Sequence, residues 1–439
     1  MRTPVLAVIL GAALAVSACG GDDDEGTTLT SETGTAPAVP ASTASAVTGA
    51  GSAPATSAVT ATGSGAAAPE PTGDPIVLAM ISQESGPGAL PDARQAAEAA
   101  VEYVNAELGG AGGRPLQLET CITDGSPEQS SGCANQLLEQ DPVAFVGEFE
   151  VGTTGSMPII ERAGVPRFGP AAITPELITS PGSFALGLDL VPGWSSWTEY
   201  LTTELGAEKV NYIAVDFSGQ PVIQQIVRSV AEANGAEMGE TSLYPATATD
   251  VSPQMAAVIG GSPDVIVAVP SAGTCVPLMQ AHQSLAPDVP FFLPGICGDP
   301  RILEAAGDAA EGTYIGFSRL NPYDTSDPEV ATYRRALDTY ATEEVALSEF
   351  ASNSFAAVVN LKALIDSLGD DVTAAALSEA MAATTDEPNF MGEPYSCAQA
   401  DKLTPATCAN SQRMLQVEDG ALVDVGGAWF DGTAKATLG

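Results

Sequence analysis

Few residues in this chain can do chemistry, and their spacing narrows what they do. Its 439 residues include seven cysteines (Cys19, Cys121, Cys133, Cys275, Cys297, Cys397 and Cys408) and one histidine, His282. A single histidine excludes multi-histidine metal sites, and no Cys-x-x-Cys knuckle offers zinc a thiolate pair. Neither a metal nor a cofactor is expected. A serine hydrolase of the α/β type needs a Gly-x-Ser-x-Gly elbow. Gly63-Ser64-Gly65 lies in low-complexity chain, and Gly182-Ser183 and Gly261-Ser262 lack the second glycine. With no recognisable nucleophile–base pair, an enzyme is disfavoured. The odd cysteine total asks for one thiol with a separate fate. Setting Cys19 aside leaves pairs 12, 22 and 11 residues apart. Several connectivities are open to six cysteines. The local set, Cys121–Cys133, Cys275–Cys297 and Cys397–Cys408, is the expected one, each loop contributing about 3 kcal/mol.

Charge restricts the partners. Lys plus Arg number 15 against 55 Asp plus Glu, a formal net of −40. Phosphate backbones are held by Lys and Arg, so nucleic acid is excluded. The N-terminus opens with Met1-Arg2 and an apolar run from Val5 to Val16. That run falls short of the roughly 20 residues that span a bilayer, but suits a signal-peptide core. Its end, Val16-Ser17-Ala18-Cys19, resembles a bacterial lipobox. Residues 1–18 are therefore expected as a lipoprotein signal peptide, with Cys19 lipidated and anchored to the outer face of the cell membrane. Buried acyl CH2 groups contribute about 0.8 kcal/mol each to such anchoring. From Gly20 to Asp74 the chain has no aromatic residue, no Lys and no Arg. It cannot bury enough apolar surface to order itself. Residues 19–74 are expected as a lipidated cysteine and a disordered tether with a reach on the order of 40 Å.

Beyond residue 75 the elements alternate. Ile76–Ile81 is an all-apolar run of the kind buried on both faces of a parallel sheet. Ala93, Ala97, Ala100, Val101, Val104 and Leu108 recur at helical spacing, and Gly109-Gly110 ends that helix. Strand and helix patterns follow at 116–121, 127–139 and 143–147. A second series opens with the strand at 210–215 and a helix carrying Val222, Ile223, Ile226, Val227 and Val230 on one face. Further strands are predicted at 264–269 and 290–293. Such alternation makes βαβ units and parallel sheets. Three helices, 329–340, 348–368 and 372–382, then come without strands, and Asp419-Gly420 turns a closing hairpin.

Several stretches carry a resemblance. They are Ser85-Gly86-Pro87-Gly88 after the first strand; Gly109-Gly110 with Gly113-Arg114-Pro115-Leu116; Val143-Ala144-Phe145-Val146-Gly147; Ala163-Gly164-Val165-Pro166 leading to Thr174-Pro175-Glu176-Leu177; and Ala309-Ala310-Glu311-Gly312-Thr313-Tyr314. In this order, residues 75 to 432 resemble a type I periplasmic solute-binding protein of the branched-chain amino-acid (Leu/Ile/Val) group that serves ABC importers. The resemblance implies an α/β fold of two Rossmann-like lobes with parallel sheets and a three-crossover hinge. Lobe one is expected from 75–191 plus 320–390 and lobe two from 192–319 plus 391–432, with 433–439 as a tail. Solute would sit between the lobes, where strands end and helix N-termini converge, and closure would be a hinge motion.

The loops after each strand then give the expected lining. Lobe one supplies Ser82, Gln83 and Glu84; Glu148, Phe149 and Glu150; Thr153 and Thr154; and Ala171, Ala172 and Ile173. Lobe two supplies Asp216, Phe217 and Ser218; Ser271 and Thr274; and Asp299. Each has a plain structural alternative: Thr153 as a helix cap, Phe149 and Phe217 as interlobe packing. Trp194, Trp197 and His282 are expected as packing residues. The pattern also departs from the amino-acid binders. Ile173 stands where a second carboxylate-binding hydroxyl is expected, and Ile296 or Cys297 where a lobe-two acid is. An unpaired α-carboxylate binds poorly, so a neutral or amine-bearing organic solute is expected rather than leucine, isoleucine or valine. The expected function is a lipid-anchored extracytoplasmic component that hands a small solute (amino acid, amide or related compound) to ABC permease subunits. The alternative is a subunit that presents solute to a membrane receptor or kinase.

Overall fold

The computed structural model describes residues 68–86, 89–217, 219–398 and 404–438, with Ala272 described by its backbone alone. The signal peptide, Cys19 and most of the expected tether lie outside the described residues. The tether's expected end does not: the Thr72 amide donates to Gly113 O at 2.9 Å, and Arg114 Nε to Asp74 O at 2.8 Å.

The apolar run becomes strand β1 (Ile76–Gln83). Leu78 and Met80 enter one core and Ala79 and Ile81 another, so both faces of the strand are covered. Helix α1 (Pro91–Glu107) buries its Ala/Val stripe and ends at Gly109 and Gly110, both at φ +74°. A Cβ on Gly110 would come within 2.1 Å of Arg114 O, so the turn requires glycine there. Then follow β2 (Leu116–Thr123), α2 (Pro127–Leu138), β3 (Ala144–Val146), α3 (Thr153–Ala163), β4 (Arg167–Phe168), α4 (Pro175–Thr179) and β5 (Ser183–Phe184). The five strands are parallel in the order β2-β1-β3-β4-β5.

Lobe two begins with α5 (Leu190–Thr203), whose Trp194 and Trp197 pack on Phe292. It continues through β6 (Lys209–Val215), α6 (Gln220–Ala233), β7 (Glu237–Tyr244), α7 (Ser252–Ile259), β8 (Val265–Val269), α8 (Cys275–Leu285), β9 (Phe291–Pro294), α9 (Pro300–Ala306) and β10 (Tyr314–Phe317). The chain returns to lobe one for α10 (Pro328–Tyr340), α11 (Glu349–Leu368) and α12 (Ala374–Ala382), which contribute to the same core as α1 and β1. It closes with the antiparallel pair β11 (Arg413–Glu418) and β12 (Ala421–Asp424), completing a sheet ordered β12-β11-β10-β9-β8-β6-β7. Both sheets belong to one compact unit. Met391, Tyr395, Cys408 and Ala409 pack in the first core, so the last passage to lobe two comes after Ala409 and not at 390. Residues 433–438 pack too: Lys435 pairs with Glu199 at 2.6 Å and Ala436 is buried.

All three expected disulfides are present, Cys121–Cys133, Cys275–Cys297 and Cys397–Cys408. His282 is a buried packing residue: its Nε2 meets Val289 O at 2.7 Å and its ring stacks on Phe291.

Candidate functional site

The end of β1 and the loop after β3 turn most of their polar groups inward. Ser82 is buried, and its Oγ has no hydrogen-bond partner among the described residues. Gln83 acts as a strut, its Oε1 accepting from the Val151 amide at 3.0 Å. Glu84 is paired with Arg94 at 2.5 Å. Glu148 and Glu150 flank one guanidinium: Arg167 Nε lies 3.1 Å from Glu148 Oε2, and its Nη2 lies 2.8 Å from Glu150 Oε1, which also accepts from Ser156. Burial, and then the Glu150 charge, push the Glu148 carboxyl above its ordinary range, against the pull of Arg167. Burial opposes the charge on Arg167, but the two carboxylates outweigh it and raise its pKa. Phe149 meets Phe350 edge-on at 4.9 Å, inside the lobe-one core. The Thr153 hydroxyl donates to Thr174 at 2.8 Å and Glu176 at 3.0 Å, while Gly152 takes the cap position of α3. Thr154 is exposed. Ala171 and Ala172 are buried, and Ile173 packs against the core.

In lobe two, Asp216 is exposed and Phe217 is 42% exposed, its ring folded over Gly219. Ser218 lies outside the described residues. Ser271 and Thr274 form a capping box before α8, and Thr274 also meets Tyr244 Oη at 3.1 Å. Asp299 caps α9 through the Arg301 amide and grips the Arg301 side chain at 3.0 and 2.7 Å. Burial alone would raise the Asp299 carboxyl, but the hydrogen bonds from Arg301 hold it below its ordinary value.

A cavity of about 560 Å³ lies between the start of α9 and the α10 helix with its following connector. Lobe two contributes Asp299, Pro300 and Arg301, and lobe one contributes the stretch from Arg334 to Leu347. Among the described residues, Asp299 is the single expected one that lines it. Arg301, Arg334, Asp338, Glu343 and Glu344 line it unannounced by the sequence reading. The side chain of Ile296 packs against both cores, and Tyr323 packs on the second core while donating to Leu347 O at 3.1 Å. The space suits a small organic solute. Arg301 and Arg334 offer donors and the acidic residues offer acceptors. Among the described residues no cluster of His, Cys, Asp or Glu could hold a metal, and no helix is long and apolar enough to cross a membrane.

Residues 75–420 match the family described as periplasmic binding protein. The chain belongs to that family. Solved structures with the same type I fold include an ABC transporter substrate-binding protein from Sphaerobacter thermophilus, 19% identical, covering 82% of this chain and 99% of its own, at TM-score 0.69. The branched-chain amino-acid transporter substrate-binding protein LivJ from Streptococcus pneumoniae, in complex with isoleucine, is 16% identical (80% and 100% covered, TM-score 0.65). A solute-binding protein from R. palustris in complex with benzoate is also 16% identical (80% and 96% covered, TM-score 0.64). No curated protein sequence matches the chain.

As in a type I periplasmic binding protein, three crossovers join the lobes, at 185–189, 318–321 and 410–412. Each is tied to neighbouring chain. Gln412 Nε2 donates to Gly187 O at 2.8 Å, Leu320 N donates to Met391 O at 2.8 Å, and Thr407 Oγ1 donates to Asp189 at 2.5 Å. The Ser318 amide donates to Glu349 Oε1 at 2.6 Å, and burial pushes the Glu349 carboxyl up to about 7.

Proposed function

We propose that the protein is the lipid-anchored extracytoplasmic solute-binding component of an ABC importer. It captures a small organic solute between its lobes and passes it to membrane permease subunits, without covalent chemistry. The observation that carries this reading is the cavity of about 560 Å³ walled by both lobes of a three-crossover hinge. The lipobox-like Val16–Cys19 supports the anchor, and the tether leaves the lobes free to work above the membrane. An amino acid, an amide or a related compound is the proposed solute class.

The test is a thermal-shift screen of the purified protein against amino acids, amides, polyamines, sugars and aromatic acids. A solute at 100 times its Kd adds about 2.7 kcal/mol of stability. The expected result is a hit from the amino-acid or amide group that weakens at least tenfold in Arg334→Gln. A hit unaffected by Arg334→Gln would move the site out of this cavity. No shift with any compound would count against solute capture. For the anchor, Cys19→Ser should move the protein from the membrane fraction to the soluble one.

A further inference from the structure

Arg319, in the second crossover, is fully buried, yet it makes no ion pair with a described carboxylate. Its partners are neutral acceptors drawn from separate parts of the chain. Nη1 donates to Asn389 Oδ1 at 3.0 Å and to Phe390 O at 2.8 Å, in the lobe-one segment after α12. Nη2 donates to Asn353 Oδ1 on α11 at 3.1 Å and reaches Leu186 O in the first crossover at 3.4 Å. Asn389 reinforces the knot by donating to the same Leu186 O at 3.1 Å, and Asn360 bonds both Asn389 and the Phe390 amide. A guanidinium presents five donors in one rigid plane, so a single side chain can hold several strands of chain in register. Every one of these acceptors lies on the lobe-one side of the hinge. Immediately beyond them comes Gly187, at φ +132°, where a Cβ would crowd Ser318 O at 3.2 Å.

We propose that Arg319 is a positioning residue that pins the lobe-one ends of the first two crossovers to α11 and to the 389–390 segment, so that closure pivots beyond the pin, at Gly187, Ser318 and 410–412. The pin also reaches the loop after β4. Ala172 in the lobe-one loop donates to Leu188 O at 2.9 Å and accepts from Leu190 N at 3.1 Å, so the register of the first crossover sets the position of that loop. Neutral acceptors suit the task because no single strong ion pair commits the guanidinium to one partner. The inference rests on the two-lobed hinge and not on the identity of the solute, so it can fail while solute capture stands.

The experiment is amide hydrogen exchange by mass spectrometry on the full chain, wild type against Arg319→Met. Peptides covering 186–190, 318–321 and 389–392 are expected to exchange about tenfold faster or more, while those covering β1 and β8 keep their wild-type rates. Unchanged exchange at the crossovers, or an equal rise across the whole chain, would overturn the assignment, since the latter marks general destabilisation. Should Arg319→Met fail to fold, Arg319→Lys carries the same test. It keeps the charge but not the fork, and is expected to loosen at least one crossover while sparing both sheets.

Discussion

Two of the described arginines are sealed from water, and they are held in opposite ways. Arg167, in β4, sits between Glu148 and Glu150 in the body of lobe one. Arg319, at the hinge, is held by two carbonyls and two amide side chains. Burial drags the Arg319 pKa down to about 10, whereas the paired carboxylates hold that of Arg167 up. The difference follows what each place must do. In a body that stays rigid, opposite charges at close range stabilise each other strongly in a low dielectric. At a pivot, an attraction of that strength would favour one geometry over the rest.

The comparison is most easily broken at Arg167. Arg167→Met strands two buried carboxylates, and the expected loss is about 3–5 kcal/mol, read from the urea midpoint. Adding Glu148→Gln and Glu150→Gln should return much of that loss. Arg319→Met breaks no direct ion pair: it strands neutral acceptors and removes a weaker attraction on Glu349 and Glu329, so a smaller loss of about 1–3 kcal/mol is expected; a loss equal to that of Arg167→Met would erase the distinction. Gly187→Ala forces a side chain into the positive-φ region beside Ser318 O, with an expected cost of about 1–2 kcal/mol. The smallest effect is a pH slope. Glu349 titrates near 7 in the folded protein against an ordinary value of 4.5. The folded state therefore keeps a proton that the unfolded chain has released. Stability from this group is complete below pH 4.5 and falls as pH rises toward 7. Glu349→Gln should flatten that slope by up to one proton in pH-dependent unfolding; an unchanged slope would assign it elsewhere.

The fold was far more legible in the sequence than the site. The apolar run that opens β1, the Ala/Val stripe of α1 and the paired glycines after it each obey a local rule that can be read directly. The disulfides were legible because their partners are near in sequence. By contrast β4 and β5 are two residues long, too short to show any period. Glu148 and Glu150 read as cleft acids because they follow a strand, as the fold's solute-side loops do. What turns them inward is Arg167, brought alongside by β3–β4 pairing that no local pattern announces. Arg334 escaped notice for a similar reason. It lies on α10 among Thr332, Arg335 and Asp338, an apparently solvated face, and only the packing of α10 and the following connector opposite α9 gives it a cavity.

The first core has a consequence for the order in which the protein can assemble. It joins Ile76 and Leu78 to Ile365, Cys408 and Ala409, with most of lobe two inserted between. Lobe one thus cannot be completed until nearly the whole chain is available, and contacts of such long sequence separation form slowly. The disulfides face no such delay, because each closes over 11 to 22 residues. Thiol oxidation can therefore outrun burial, and the native cysteine pairs are near neighbours along the chain while the core is still open. A strict division between early covalent closure and late burial makes correct pairing a matter of proximity, without the finished fold as a template.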